Sequence, residues 1–295
     1  MPNGAATLRR LFAQPGIIRL IGAHNALGAK MAERANFDGV WSSSFEISAS
    51  HAVPDASILT QSEHLAVART MCAAVDVPVI ADCDTGYGDS FQFAHAVRRF
   101  EEAGVAGVCI EDKTFPKLNS FAPGKQELAS IDTFVEKLRA GKRAQQNLDF
   151  VIIARVEALI AGGDIQEALA RACAYADAGA DAVLVHSKSP TIDELAIIAR
   201  AWDRPTPLVS IPTAYYQTTV EELAALGIKM VIYANHGLRC ALRAMERAYA
   251  EIMRSGSTAS IEDQLWPMRA IFELQGGVTD IEPIAANAIS AKGGQ

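Results

Sequence analysis

Eight short apolar runs, separated by segments of helical period, set the strongest limit on what this chain can fold into. The runs are residues 17–25, 38–44, 77–84, 104–112, 149–158, 179–187, 206–213 and 228–235. Amphipathic segments such as 91–104, 165–179 and 219–227 lie between them and close on glycine, which supplies a left-handed C-terminal cap. Near-continuous apolar strands alternating with helices predict a parallel sheet covered on both faces. Eight such units predict a closed (β/α)8 barrel of the TIM type. An open doubly wound sheet is the alternative, but no GxGxxG follows the first run. With 295 residues, half of them hydrophobic, the chain can bury one core, and a single domain over 1–295 is expected. A further amphipathic helix is expected at 261–276, within a C-terminal element at 258–276.

Composition excludes some partners. A net charge of −7 argues against general affinity for nucleic acid. No run of about 18 apolar residues is present, so no membrane span is expected. The first residues lack the long apolar segment of a secretory signal. The five cysteines, Cys72, Cys83, Cys109, Cys173 and Cys240, form no CxxC pair and read as reduced core residues of a cytoplasmic protein. Their spacing does not favour a zinc site.

In such barrels the active site lies at the C-terminal ends of the strands. Here those ends are polar. They read Trp41-Ser42-Ser43-Ser44, then Asp82 and Asp84, then Glu111-Asp112-Lys113. The fifth run carries Arg155 and Glu157, and the sixth ends in His186. The last two end in Thr213 and in Asn235-His236. In a strand, residues i and i+2 share a face, so Asp82 and Asp84 are expected side by side. Like charges in a dry site call for a cation between them. Asp82, Asp84 and Glu111, with Asp55 from the loop after the second run, are oxygen ligands suited to Mg2+ or Mn2+. Asp55 alone reads equally well as a capping carboxylate.

Arg155 and His186 are expected opposite the acids in the closed ring. An arginine there grips phosphate or carboxylate, or else forms a salt bridge to Glu157 or Glu111. His186 is a site residue or a satisfied core histidine. His24, His51, His64, His95 and His236 read as structural. The loop 112–127 is long for a βα connection and reads as a lid carrying Lys117, Asn119 and Ser120, or else as a solvated charged loop.

The segments WSSSFEISASHAVPD, ADCDTGYGD, GVCIEDKTFPKLNS, VIIARVEALIAG, AGADAVLVHSK and IPTAYY resemble, in order, the phosphoenolpyruvate mutase/isocitrate lyase superfamily over residues 17–240. The resemblance implies a Mg2+-dependent enzyme acting on phosphoenolpyruvate or phosphonopyruvate through a pyruvate enolate. The lid sorts the branches. The carbon–carbon lyases carry a Cys-Gly-His lid, and here it reads Phe115-Pro116-Lys117-Leu118-Asn119-Ser120. Mutases carry Lys-x-Asn-Ser, and phosphonopyruvate hydrolases tend to have threonine where Asn119 stands. Asn119 therefore implies the mutase branch, with the hydrolase as the alternative and a lyase on another 2-oxo or 2-hydroxy acid as a third. Ser42 and Ser44 depart from the glycines that flank the mutase serine. A catalytically silent barrel that binds a metabolite stands against the intact Asp82, Glu111, Lys117 and Arg155.

The resemblance also implies roles. Asp82 ligates the metal, and Asp55, Asp84 and Glu111 hold its waters. Ser43, Ser44 and Phe45 receive the substrate carboxylate, with Trp41 as a wall. Asn119, Ser120, Arg155 and His186 hold the phosphoryl group, and Lys117 helps close the lid. A homodimer or homotetramer is implied, with the last helix packed on a neighbouring subunit's barrel.

Overall fold

The computed structural model describes residues 4–276. The chain separates into two compact units, Met1–Arg239 and Cys240–Gln295. The first unit holds β1 (Ile18–Ala23), β2 (Gly39–Ser42), β3 (Val79–Asp82), β4 (Gly107–Glu111), β5 (Val151–Val156), β6 (Ala182–Val185), β7 (Leu208–Ser210) and β8 (Ile228–Tyr233). These pair in parallel in chain order, and β8 returns to β1 to close the barrel. All eight runs form strands, each shorter than its apolar run. The shortest, β7, has three residues. Pro207 and Pro212 flank it, and neither has an N–H to extend the ladder.

The helices of this unit are α1 (Gly4–Ala13), α2 (Ala26–Arg34), α3 (Ser44–Ser50), α4 (Gln61–Ala74), α5 (Ser90–Glu102), α6 (Ile131–Ala144), α7 (Ile165–Asp177), α8 (Asp193–Ala201) and α9 (Val220–Ala225). Side-chain caps start several of them. Thr60, Asp89 and Thr219 each form a full capping box with the residue three positions on.

Strand alternation divides the core. Leu20, Trp41, Ile80, Cys109, Ile153, Leu184, Val209 and Met230 form one cluster with members from every strand, the barrel interior. Ala81, Val108, Ile110, Ile152, Ala154 and Val183 pack in a separate cluster with helix residues such as Phe93, Phe134, Leu138 and Tyr175. The two-residue period then decides where the polar residues go. Asp82 follows inward Ile80, Glu111 follows Cys109, Arg155 and Glu157 follow Ile153, and His186 follows Leu184.

The chain continues as α10 (His236–Ser255), a 3-10 turn at Glu262–Gln264 and α11 (Met268–Gln275). The helix expected over 261–276 thus begins only at Met268, because Leu265 and Pro267 are extended and proline ends the approach. The long helix α10 was not anticipated. Its Leu242, Met245, Tyr249 and Met253, spaced by three or four residues, are all exposed.

All five cysteines are free. Cys83 and Cys109 are buried core residues as expected, Cys72 and Cys173 are half-buried, and Cys240 is exposed on α10. Among the described residues no helix is long and apolar enough to cross a membrane.

Candidate active site

A cavity of about 560 Å³ opens at the C-terminal ends of the strands. Trp41, Ser43, Ser44, Phe45, Asp55, Asp82, Lys117, Asn119, Ser120, Arg155 and His186 line it. Asp84 and Glu111 do not reach its wall and sit buried behind it. Among the described residues none of the other five histidines lines it.

Asp82 and Asp84 are close for a different reason than strand pleating. β3 ends at Asp82, and Asp84 takes a left-handed conformation with φ of 51°. The chain turns back so that the Asp84 N–H donates to Asp82 Oδ1 at 3.4 Å. Ser44 Oγ donates to Asp82 Oδ2 at 2.8 Å. Burial, reinforced by Asp84, pushes the Asp82 carboxyl above the ordinary carboxylate range. Burial acts on Asp84 in the same direction, but the Lys117 ammonium, His64 and Ser44 together outweigh it and leave that pKa lowered.

The lid lies clasped onto the loop after β2. Lys117 Nζ pairs with Asp55 Oδ1 at 2.7 Å and with Asp84 Oδ1 at 3.0 Å. Asn119 donates from Nδ2 to Asp55 Oδ2 at 2.7 Å, and the Lys117 N–H donates to Ser57 Oγ at 3.0 Å. Asn119 Oδ1 accepts the Phe121 N–H at 2.9 Å, which fixes the amide's orientation. Asp84 and Asp55 hold the Lys117 pKa above its ordinary value despite the opposing effect of burial. The reading of 112–127 as a solvated loop therefore fails for Lys113, Lys117 and Ser120, all buried.

Glu157, fully buried, gathers the opposite wall. It receives Arg155 Nε at 2.5 Å, Ser120 Oγ at 2.6 Å and His186 Nδ1 at 2.7 Å, and Lys113 Nζ lies 3.1 Å away. Ser120 Oγ in turn accepts from Lys113 Nζ at 2.8 Å and from Arg155 Nη2 at 3.1 Å. Burial tends to raise the Glu157 carboxyl, but Arg155 and His186 hold it well below the usual range. Burial lowers the His186 pKa, with Glu157 opposing. The salt-bridge reading of Arg155 holds, and His186 is likewise tied to Glu157, yet each also faces the cavity. They do not stand opposite all the acids. Glu111 and Arg155 are direct partners across β4 and β5, with Arg155 Nε 3.5 Å from Glu111 Oε2.

The sequence reading gave no role to Lys113 or to Arg239. Lys113 had a signal, since it follows Glu111 by two positions and so faces the same way. Arg239 lines the cavity with Thr213 and Asn235, one helical turn after Asn235. Ser43 and Ser44 also differ from expectation. Ser43 Oγ caps α3 by accepting the Glu46 N–H, and the Ser44 hydroxyl is taken by Asp82. What this segment offers the cavity is backbone N–H at the helix start.

The donor set fits a divalent cation. The carboxyl groups of Asp55, Asp82, Asp84, Glu111 and Glu157 outnumber the ammonium and guanidinium groups of Lys113, Lys117 and Arg155 that lie among them, five to three. Asp84 Oδ1 and Glu111 Oε1 are buried without a hydrogen-bond donor, although Lys117 and Lys113 pair with them ionically. Among the described residues no three His, Cys, Asp or Glu side chains are arranged to hold an ion by themselves. Mg2+ needs no such cage, because it keeps several waters.

Relatives of known activity share this architecture. The chain is 45% identical over 271 residues to a phosphonopyruvate hydrolase of Variovorax sp. (strain Pal2), covering 91% of this chain and 93% of that protein. A crystal structure of a phosphoenolpyruvate phosphomutase from Streptomyces platensis subsp. rosaceus superimposes with a TM-score of 0.94 at 52% identity, covering 97% of this chain and 99% of that one. A phosphonopyruvate hydrolase complexed with oxalate and Mg2+ matches with a TM-score of 0.90 at 43% identity, covering 98% and 99%. The sequence model of the phosphoenolpyruvate phosphomutase family matches residues 8–253. The chain belongs to that family, within the phosphoenolpyruvate mutase/isocitrate lyase superfamily.

Proposed function

We propose that the protein is a phosphoenolpyruvate mutase, interconverting phosphoenolpyruvate and 3-phosphonopyruvate by moving the phosphoryl group from oxygen to carbon. The observation that carries this reading is Asn119. A neutral amide, with its orientation held by Asp55 and by the Phe121 N–H, stands in the lid where it can hydrogen-bond a phosphoryl group. An amide is a poor general base, so it does not activate water for attack on phosphorus.

Asp82 would hold Mg2+ directly, and Asp55, Asp84 and Glu111 would hold its waters. The ion supplies positive charge beside the 2-oxygen, which becomes negative as the P–O bond breaks. The chain's own groups do the rest. The backbone N–H groups of Ser44 and Phe45 receive the carboxylate, with Trp41 behind. The phosphoryl group is loosely bonded and highly charged in transit, so its stabilisation is mainly positioning and electrostatics. Arg155, held by Glu157, supplies the charge, and His186 and Asn119 supply hydrogen bonds, while Ser120, whose hydroxyl is given to Glu157, helps orient Arg155. The electrons of the broken P–O bond pass into the pyruvate enolate, and its third carbon then attacks phosphorus to form the P–C bond. Lys117 and the lid keep water from competing.

The alternative is a phosphonopyruvate hydrolase, supported by the 45% identity to the Variovorax enzyme. Phosphorus NMR of the protein with Mg2+ and phosphonopyruvate separates the two. Phosphoenolpyruvate is expected to appear. Inorganic phosphate with no phosphoenolpyruvate would establish the hydrolase instead.

A further inference from the structure

The loop 83–89 has a conformation that its sequence does not readily hold alone. Asp84 (φ 51°), Gly86 (φ 86°), Tyr87 (φ 63°) and Gly88 (φ 148°) all have positive φ. For Asp84 and Tyr87 this region costs backbone strain, and such strain persists only where surrounding structure enforces it. Two hydrogen bonds tie the loop to β4: the Glu111 N–H to Asp84 O at 2.8 Å and the Cys83 N–H to Cys109 O at 2.9 Å. On the far side of the loop, where Gln92 accepts the Asp89 N–H and Tyr87 stacks on Phe100, one buried side chain reaches two of the loop carbonyls. Lys137 of α6, 7% exposed, donates from Nζ to Thr85 O at 2.7 Å and to Gly88 O at 2.8 Å.

Among the described residues no carboxylate forms an ion pair with this ammonium. Burial pulls its pKa below the ordinary lysine value, and Asp89, the N-cap of α5, is the acid that opposes the shift. A buried lysine given over to two carbonyls is costly, and a core of methylenes would pack α6 more cheaply. The reach of Lys137 is built into the helix packing. One turn on, Gly141 lets α6 approach α5 closely, since a Cβ there would lie 2.3 Å from Phe93 Cε1. Phe93 also underlies Gly86, where a Cβ would lie 3.0 Å from Phe93 Cδ2. Phe93 thus joins the loop to α6, and Lys137 latches the two together.

We infer that Lys137 is a positioning residue for the cation site: by clamping the Thr85 and Gly88 carbonyls it holds the turn that brings Asp84 beside Asp82 and Glu111. The inference rests on the reading of those acids as a Mg2+ site. Lys137 touches neither substrate nor metal. Its effect is to keep Asp84 in place without the cation, so that binding does not have to order the loop.

The test is titration of the purified protein with Mn2+, following free Mn2+ by electron paramagnetic resonance, together with thermal melting. Lys137→Met is expected to weaken Mn2+ binding at least tenfold, and Lys137→Arg, which keeps two donors, to stay within threefold of the unsubstituted protein. Leu138→Ala empties a fully buried site on the same helix and serves as the control. It is expected to lower the melting temperature while leaving Mn2+ affinity within twofold. Unchanged affinity in Lys137→Met overturns the inference, as does equal weakening in Leu138→Ala, which would mark a general loss of stability. Failure of the unsubstituted protein to bind Mn2+ would instead overturn the cation site itself. A second readout is turnover against Mg2+ concentration. The Lys137→Met protein should recover kcat at high Mg2+, whereas unrecovered kcat at saturating Mg2+ contradicts a positioning role.

Discussion

Asn119 and Asp55 are joined twice, by the Asn119 amide to Asp55 Oδ2 at 2.7 Å and by the Asn119 N–H to the Asp55 carbonyl at 3.0 Å. The same carboxylate receives Lys117 at 2.7 Å. One acid in the loop before α4 therefore holds two of the three polar residues of segment 112–127 that line the cavity, and the third, Ser120, is held by Glu157.

Asp55→Ala removes two charge-assisted contacts, each worth about 1.5–3 kcal/mol. The lid should then open far more often, by about 100-fold for a loss near 3 kcal/mol. Hydrogen exchange at 117–121 is expected to accelerate while the barrel strands keep their protection. Unchanged exchange there would show that Asp55 does not hold the lid.

Asn119→Thr replaces a carboxamide with a hydroxyl too short to reach Asp55 in the same way. Water then gains access to the phosphoryl group. The fraction of phosphonopyruvate converted to phosphate should rise at the expense of phosphoenolpyruvate, as read by phosphorus NMR. A variant that loses both products equally would show that Asn119 governs binding and not the partition.

The barrel was readable because buried parallel strands leave a nearly continuous apolar record, and strand ends announce themselves by polarity. Asp82, Glu111, Arg155 and His186 were found that way. The proximity of Asp84 to Asp82 was anticipated for the wrong reason, because left-handed φ at Asp84 and Tyr87 follows from tertiary contacts that no local pattern carries. Lys113 and Lys137 went unread for a related reason. A lysine in sequence looks solvated, and only packing shows one with 2% exposure and the other with 7%.

Glu157 binds Arg155, Ser120 and His186 and lies 3.1 Å from Lys113. Glu157→Ala would leave buried Arg155 and Lys113 without their principal counter-charge. Breaking a buried pair in this way costs about 3–5 kcal/mol. Urea unfolding should show that loss, and Glu157→Gln, which keeps the shape, should lose less. A cost below 1 kcal/mol for the alanine variant would mean that water replaces the carboxylate.

The exposed stripe of Leu242, Met245, Tyr249 and Met253 on α10 is the kind of surface a second copy of the chain covers. Light scattering is expected to give a dimer or tetramer. Tyr249→Glu with Met253→Glu should shift it toward smaller species. A monomer at micromolar concentration would remove the homo-oligomer proposal.

Glu111 contributes a pH dependence to the site. Burial raises its pKa from 4.5 to about 7, against the opposing charges of Arg155 and Lys113. In the cation-free protein the folded state thus holds a proton that the unfolded chain releases near 4.5. The stability this contributes is fully present below about 4.5 and is lost as pH rises through about 7. A divalent cation reverses the preference, because its charge favours the ionised carboxylate. Binding must expel the proton below pH 7, so Mg2+ affinity should fall by up to about tenfold per pH unit there and level off above it. The rise in melting temperature on adding Mg2+ should accordingly be larger at pH 8 than at pH 6. Glu111→Gln cannot titrate, so the difference between the two pH values should shrink in that variant. A Mg2+ effect equally pH-dependent in both proteins would assign the titration to another group.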